Sequence, residues 1–155
     1  MRVLGIDPGS RATGYGIIDA DGDAETVVDC AVIRLDTDDG HPMRLKQIYD
    51  DLIAVIEEHA PDICVVEMPV YAKNAQSMLK LGRAQAAAIL VAMNRQVPVT
   101  QYTPKEIKKS VTGNGNASKR QVGYMVRAML EMDVEPAEDA ADALAVALCH
   151  AHRSE

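Results

Sequence analysis

Residues 3–35, VLGIDPGSRATGYGIIDADGDAETVVDCAVIRL, decide the fold of this chain. The run VLGID (3–7) is short and apolar and ends in a carboxylate, which is typical of a strand buried on both faces. TGYGIIDA (13–20) and ETVVDCAVIRL (25–35) are rich in β-branched residues, and Asp21-Gly22-Asp23 between them indicates a hairpin. The sequence therefore predicts three antiparallel strands at the start of a sheet.

The rest of the chain alternates helical and strand patterns. A helix is predicted from residue 41 up to Pro61, and ICVVE (63–67) repeats the pattern of the first strand. The later elements are an Ala-rich helix over 75–93, a strand over 97–102, a short helix after a Thr103–Glu106 capping box, a helix after Ser118 and a last helix from Pro136. This order predicts one α/β domain over residues 1–155, built on a five-stranded mixed sheet of three antiparallel and then two parallel strands, flanked by helices.

The charge of the chain is divided unevenly along its length. The formal net charge is −7, which taken alone argues against a nucleic-acid-binding protein. Residues 1–67 carry 5 basic and 15 acidic side chains, and residues 131–155 carry 1 and 7. Residues 68–130, here called the basic segment, carry 10 basic side chains and the single acid Glu106. Such a concentration of cations is typical of a surface that binds phosphates.

The composition also argues against several classes of protein. The longest apolar run, Ala86–Met93, has 8 residues, far below the roughly 20 that span a bilayer. Asp7 interrupts the early apolar stretch, so no secretory signal is expected. Cys30, Cys64 and Cys149 are odd in number and lack C-x-x-C spacing, which predicts reduced thiols in a cytoplasmic protein rather than disulfides or a zinc site.

Four carboxylates have the spacing of a candidate metal site. Asp7 and Glu67 each end a buried strand, so they converge at one sheet edge if the two strands are parallel neighbours. Asp139 and Asp142 share one face of the last helix, and Val146 continues that face toward the core. Gathered together, the four carboxylates would repel one another unless a cation neutralised them.

Mg²⁺ suits such a donor set, because hard divalent ions prefer carboxylate oxygens and keep positions open for water. Two ions about 4 Å apart can activate water and stabilise the leaving 3′-oxygen in phosphodiester hydrolysis. The ordinary alternative for Asp139 is an interaction with the helix dipole in the first turn. With Pro136 in the first helical position, Asp142 lies too deep for that explanation, which suits Glu138 better.

Four blocks of sequence closely resemble the RuvC family of bacterial Holliday junction resolvases. They lie within about residues 2–152 and are GIDPGSRATGYG (5–16), VVEMPVYAKNAQSMLKLGRAQ (65–85), GNGNASKRQVGYMVRAML (113–130) and DAADALAVALCHAH (139–152). The resemblance implies a ribonuclease H-like fold and a homodimer that cuts four-way DNA junctions with Mg²⁺, one or two ions per subunit, with Mn²⁺ as a substitute. It places the catalytic and metal-binding acids at Asp7, Glu67, Asp139 and Asp142. It also implies coupling to the branch-migration proteins RuvA and RuvB.

Basic side chains supply the expected DNA contacts. The resemblance places Lys108 and Lys119 near the scissile phosphate. The other cations expected to hold junction arms by their phosphates are Lys73, Lys80, Arg83, Lys105, Lys109 and Arg120, joined by Arg11 in the turn beside Asp7. Many relatives carry Phe three residues after the catalytic Glu, where this chain has Val70. Tyr71, one place later, is therefore the residue expected to stack on a base, and a plain strand-end Tyr is its alternative.

A four-way junction has two equivalent strands to cut, and a two-fold dimer supplies paired active sites. The Ala-rich helix over 75–93 has an apolar arc wider than one packing face needs, which makes it the candidate dimer surface. Burial between the sheet and neighbouring helices explains the same arc equally well.

Three other functions fit parts of the sequence. GIDPGSRATGYG would form a phosphate-binding hairpin in an actin-like or sugar-kinase-type ATP-binding fragment, but 155 residues do not hold the second lobe that closes over ATP. A DNA-binding module without catalysis would not need four carboxylates. A ribonuclease H-type enzyme acting on RNA–DNA hybrids would use the same chemistry, and the four blocks favour junction DNA over that substrate.

Overall fold

The computed structural model describes residues 1–69 and 73–153. Within these residues, five strands and five helices follow one another in the order that the sequence predicts. They are β1 (Arg2–Asp7), β2 (Ala12–Asp21), β3 (Ala24–Arg34), α1 (His41–His59), β4 (Ile63–Glu67), α2 (Ala75–Asn94), β5 (Val99–Tyr102), α3 (Pro104–Thr112), α4 (Lys119–Met129) and α5 (Glu138–Arg153). The predicted five-stranded mixed sheet is confirmed.

The strands form one sheet in the order β3-β2-β1-β4-β5. The first three strands are antiparallel, and Asp7 of β1 lies opposite Gly14 of β2. β4 runs parallel to β1, with Val66 level with Ile6, and β5 runs parallel to β4. The carboxyl ends of β1 and β4 therefore meet at one edge of the sheet, where open α/β sheets commonly carry their functional sites.

Strand side chains alternate between two apolar cores, one on each face of the sheet. Val3 and Val65 belong to the first core, which α3, α4 and α5 cover. Leu4 and Val66 belong to the second core, which α1 and α2 cover. Burial on both faces explains why β1 and β4 are nearly continuous apolar runs.

Reciprocal caps fix the starts of the two helices that follow β5. The Thr103 hydroxyl accepts a hydrogen bond from the Glu106 backbone N–H, and the Glu106 carboxylate accepts one from the Thr103 N–H. Ser118 and Gln121 form the same pair at the start of α4. Each cap satisfies backbone donors that a helix otherwise leaves open, so the positions of Lys108 and Lys119 are set by local sequence.

Helix α5 rests on a part of the sheet that is lined by glycine. A Cβ atom at Gly5 would overlap the carbonyl oxygen of Ala143, and one at Gly14 would overlap that of Asp139. Only glycine permits so close an approach of two backbones. The glycines of the first strand pair therefore serve helix packing, and they set how near α5 brings its acidic residues to the end of β1.

Helix α5 begins two residues later than the sequence analysis predicts. Its first residue is Glu138, and the Ala137 carbonyl accepts a hydrogen bond from the Ala141 backbone N–H. Pro136 therefore precedes the helix, and the prediction that it takes the first position is wrong. A proline is compatible with either place, so the local pattern does not separate them. Asp142 is the fifth residue of the observed helix and still lies beyond its first turn.

The structure bears on the predictions about the cysteines and about membrane-spanning helices. Cys30, Cys64 and Cys149 are free thiols, and burial raises the pKa of the Cys64 thiol to about 12. Across residues 1–69 and 73–153, no helix combines the length and the apolarity needed to cross a membrane.

Candidate metal and nucleic-acid site

Asp7 and Glu67 lie side by side at the carboxyl edge of the sheet. Their strands are parallel neighbours, and the residues before them, Ile6 and Val66, are level in the register. Glu67 adds to the rise in the pKa of Asp7 both as a hydrogen-bonding neighbour and through its charge. Two apolar runs that each end in an acid thus bring their acids together.

Helix α5 brings two further acids to the same point. One oxygen each from Asp7, Asp139 and Asp142 can be chosen so that all three lie within 4.8 Å of one another. Asp7, Glu67 and Asp142 also line a cleft of about 300 Å³. Asp7, Glu67, Asp139 and Asp142, here called the acidic cluster, are all half-buried.

Burial and neighbouring carboxylates oppose ionisation of Asp7 and Asp142. Loss of hydration raises the pKa of Asp7 well above its ordinary value, and the hydrogen bond to Glu67 and the neighbouring carboxylates add to the rise. Burial also raises the pKa of Asp142, while the Lys119 ammonium counteracts that rise. A cation among these oxygens would favour their ionised forms. The donor set therefore fits a hard divalent ion such as Mg²⁺.

Lys119 places a positive charge at the edge of the acidic cluster. Its ammonium nitrogen lies 2.9 Å from Glu138 Oε1 and 3.1 Å from Asp142 Oδ2. The hydrogen bond to Glu138 is the largest cause of the raised pKa of Lys119, so the side chain is charged at neutral pH. The Lys119 side chain is also 60% exposed, which leaves it accessible to an incoming phosphate. Sequence analysis assigns Glu138 to the helix dipole and misses this ion pair, because no local pattern links two separate helices.

Other predicted cations lie on the helices that border the cleft. Lys108 lines the cleft itself. Lys105 and Lys109 are exposed on the same helix, α3, and Arg120 is exposed next to Lys119 on α4. The Lys105 side chain lies beside Gly115, where a Cβ would be 3.0 Å from Lys105 Cγ. These residues form a basic border on the α3–α4 side of the acidic cluster.

The remaining predicted DNA contacts lie elsewhere. Lys80 and Arg83 are on α2, which covers the opposite face of the sheet from α5. Their charges add to the effect of burial in lowering the pKa of His41 at the start of α1. Lys73 and Arg11 are exposed. Tyr71 lies outside the described residues.

Arg44 is a residue near the site that the sequence analysis misses. Its guanidinium donates hydrogen bonds to the carbonyl oxygens of Ser10 at 3.4 Å, Thr37 at 2.8 Å and Asp39 at 3.1 Å. These contacts tie the turn that follows Asp7 to the start of α1. Because the acceptors are backbone groups, no sequence pattern could have indicated them.

Comparison with known proteins places this arrangement in a family. The family described as crossover junction endodeoxyribonuclease RuvC matches residues 3–150. Proteins of that name from Salinibacter ruber and Alkalilimnicola ehrlichii are 62% and 49% identical to this chain over 154 residues. The alignment covers 99% of this chain in both cases, with 86% of the first relative and 93% of the second.

Solved structures give the same result. RuvC of Thermus thermophilus in complex with a Holliday junction substrate has a TM-score of 0.93 and 29% identity, covering 99% of this chain and 94% of the other. A further structure of RuvC from Thermus thermophilus has a TM-score of 0.91 and 30% identity, covering 99% and 95%. The yeast mitochondrial Holliday junction resolvase, with a TM-score of 0.66 and 14% identity over 97% of this chain and 78% of its own, shares the fold.

The mixed sheet and the carboxylates gathered at its edge define a ribonuclease H-like nuclease. More particularly, the chain belongs to the RuvC family of crossover junction endodeoxyribonucleases. The actin-like or sugar-kinase-type alternative is not favoured, because the match extends from β1 to α5.

Proposed function

We propose that this protein resolves Holliday junctions by paired, symmetric, Mg²⁺-dependent nicks during homologous recombination and DNA repair. The observation that carries the proposal is the convergence of Asp7, Asp139 and Asp142 beside a bordering lysine, Lys119. The Thermus thermophilus relative, crystallised with a Holliday junction, supports the choice of substrate.

The acidic cluster holds one or two Mg²⁺ ions per subunit, and Mn²⁺ can replace them. Asp7, Asp139 and Asp142 provide close oxygens, and Glu67 extends the donor set through its contact with Asp7. Bound Mg²⁺ supplies Lewis-acid stabilisation of the phosphate and a water of lowered pKa. The half-buried position of the carboxylates strengthens their attraction for a cation, because the local dielectric constant is lower than that of water.

The basic border orients the DNA. Lys108 lines the cleft and Lys119 stands at its rim, so both can pair with the phosphate that is cut. Salt-sensitive contacts with the junction arms are assigned to Lys73, Lys80, Arg83, Lys105, Lys109, Arg120 and Arg11. Tyr71 is assigned the stacking role of the family Phe.

Two subunits act together, joined through α2. This helix leaves large apolar side chains in solvent, with Leu79, Leu90 and Met93 exposed by 60%, 54% and 56%. Leu79 also borders an open apolar groove with Ala75, Ala86 and Met78. A second copy of this surface would cover the exposed groups and pair two acidic clusters for two symmetric cuts.

The cellular setting follows from the same proposal. Residues 1–155 act as one domain, since both apolar cores are built on the one sheet. The protein works in the cytoplasm, and RuvA and RuvB are its expected partners in branch migration.

One experiment tests this function directly. Radiolabelled four-way junction, linear duplex and RNA–DNA hybrid are incubated with the protein in Mg²⁺, in Mn²⁺ and in chelator. We expect symmetric nicks in the junction alone, with either metal, and no cutting in chelator. Preferential cutting of the hybrid would instead identify a ribonuclease H-type activity, and cutting in chelator would overturn the metal site.

A further inference from the structure

A second groove joins the catalytic cleft and runs along α4. It has a volume of about 490 Å³ and shares Lys119 and Asp142 with the cleft of the acidic cluster. Its α4 wall is formed by Arg120, Tyr124 and Arg127, in addition to Lys119. The two cavities adjoin at the Lys119–Asp142 ion pair, so a strand held at the acidic cluster reaches this groove by passing over that pair.

Tyr124 is the feature that distinguishes this groove. Its residue is 72% exposed, in a chain whose only aromatic residues are five tyrosines. Tyr124 also borders a neighbouring cavity of about 370 Å³, which is lined by Asn114 and Met125. The tyrosine thus stands between two open spaces, each large enough to admit a planar ring. An exposed aromatic side chain next to a cationic surface is the usual platform for an unpaired base.

The groove is lined by equal numbers of cations and acids, and its two arginines are the cations available to a phosphate. Lys119, Arg120 and Arg127 are its cations, and Glu135, Glu138 and Asp142 are its acids. Glu138 is already paired with Lys119, and Asp142 belongs to the acidic cluster. Arg120 and Arg127 therefore face the groove with Glu135 as the remaining acid. The buried Arg127 Nε also has no hydrogen-bond partner within residues 1–69 and 73–153.

We propose that this groove holds an unpaired nucleotide of the cut strand, within about three nucleotides of the scissile phosphate. This inference rests on the proposed junction-cutting function and extends it. The base stacks on Tyr124, and Arg120 and Arg127 bind the flanking phosphates.

The separation of Lys119 and Tyr124 along α4 agrees with a nucleotide within about three positions of the scissile phosphate. Lys119 and Tyr124 are five residues apart, about 7.5 Å along a helix axis at 1.5 Å per residue. That length corresponds to about two stacked nucleotides at 3.4 Å each. Tyr124 therefore fixes which position of the strand opens, while Lys119 lies at the cut.

The test uses a four-way junction that carries 2-aminopurine at single positions up to three nucleotides on either side of the cut. Binding is measured in chelator, where the strand stays intact. We expect the wild-type protein to quench the fluorescence at one of these positions. Tyr124→Phe keeps the ring and should retain the quenching, whereas Tyr124→Ser should lose it and raise the Kd about tenfold.

Salt dependence tests the two arginines. Arg120→Ala and Arg127→Ala should each reduce the slope of log Kd against log salt by about 1. Lys46→Ala is the matched control, because Lys46 is exposed on α1 and should leave the slope unchanged. Because Tyr124 is mostly exposed, its variants should fold, and thermal melting checks that they do.

The outcomes separate this inference from the function on which it rests. A wild-type protein that neither binds nor cuts the junction would remove the proposed function. A wild-type protein that cuts the junction, while Tyr124→Ser quenches 2-aminopurine as well as the parent or no position is quenched at all, would overturn the nucleotide groove alone.

Discussion

Gly14 lies against the carbonyl oxygen of Asp139, with no space between them for a side chain. Gly14 is also the register partner of Asp7 across the first strand pair. The first turn of α5 is therefore held directly beside the strand end that carries Asp7. The position of an acid on the last helix depends on the smallest possible residue in the second strand.

Gly14→Ala should separate α5 from the sheet. The added methyl group would overlap backbone, which cannot move as a flexible side chain does, so the free energy of unfolding should fall by about 1–3 kcal/mol. Nicking should fall further than stability alone explains, because Asp139 and Asp142 move with the helix. Urea unfolding and junction cleavage measure the two effects.

Gly123→Ala provides the matched control for unfolding. Gly123 lies inside α4, and a Cβ there would meet no atom within 4 Å. This change should raise the unfolding free energy by about 0.5–1 kcal/mol, since alanine is the better helix former. If Gly14→Ala behaved like Gly123→Ala, the close approach of α5 to the sheet would be disproved.

Asp7→Asn should abolish Mg²⁺-dependent nicking of a synthetic four-way junction, by at least about 100-fold. Junction binding should be largely retained, because the phosphate contacts come from lysine and arginine. Cleavage assays and gel-shift titration test the two halves of the prediction. Asp50→Asn, an exposed acid on α1, is the control and should cut normally. Undiminished cutting by Asp7→Asn would exclude Asp7 from the metal site.

The acidic cluster should make stability depend on pH when metal is removed. The pKa of Asp7 is raised in the folded protein, so the folded state holds a proton that the unfolded state has already lost above about pH 4. The titration of Asp7 therefore lowers the free energy of unfolding as the pH rises. In chelator, Asp7→Asn should become increasingly more stable than the parent between about pH 5 and about pH 8.

The pH dependence of the unfolding free energy must be compared between the parent and Asp7→Asn, because other groups also titrate. His41 and His150 have lowered pKa values, chiefly through burial, and their contribution runs in the opposite direction with pH. Both histidines are present in both proteins, so the difference in urea-unfolding free energies isolates Asp7. A difference that is constant with pH would contradict the prediction, and added Mg²⁺ should stabilise the parent more than the variant.

Lys119→Ala should weaken both binding and cutting of the junction. The side chain is charged and accessible, so its loss should reduce the salt slope of binding by about 1 and slow nicking about tenfold or more. Arg95→Ala is a suitable control, because Arg95 lies in the basic segment but is not among the cations assigned to the DNA. Unchanged Kd and nicking rate in Lys119→Ala would remove Lys119 from the DNA surface.

Leu90→Glu should prevent association through α2. Leu90 is 54% exposed, and a charge at the proposed dimer surface would have to be buried without a partner. Sedimentation should show a dimer for the parent and a monomer for the variant, and the variant should nick one strand of a junction at a time. Met43→Glu, at a residue 56% exposed on α1, should leave the dimer intact. A parent protein that is monomeric at all concentrations would contradict the α2 interface.

Local patterns were sufficient to predict the elements and much of the candidate site. Apolar runs that end in an acid identified β1 and β4, because a strand covered on both faces excludes polar residues until its end. The spacing of Asp139 and Asp142 put them on one helix face. The Thr103–Glu106 capping box is also local and formed as predicted, and the structure adds a second box between Ser118 and Gln121.

Contacts between distant segments could not be predicted in the same way. The approach of Gly14 to Asp139 and the ion pair of Lys119 with Glu138 depend on how separate elements pack. Tyr124 is two residues from each of the buried residues Val122 and Val126, so the helical period places it on the exposed side of α4. The cavities beside it were missed, because they arise from packing between separate elements.

The acids of the cluster come from β1, β4 and α5, which are made early, midway and late in synthesis. A ribosome would have to release residues beyond Asp142 before that carboxylate could reach Asp7. The proposed metal site is therefore incomplete in a nascent chain, even when the sheet has already formed around β1. On the proposed assignment of the four acids, the order of elements delays nuclease activity until α5 has been made.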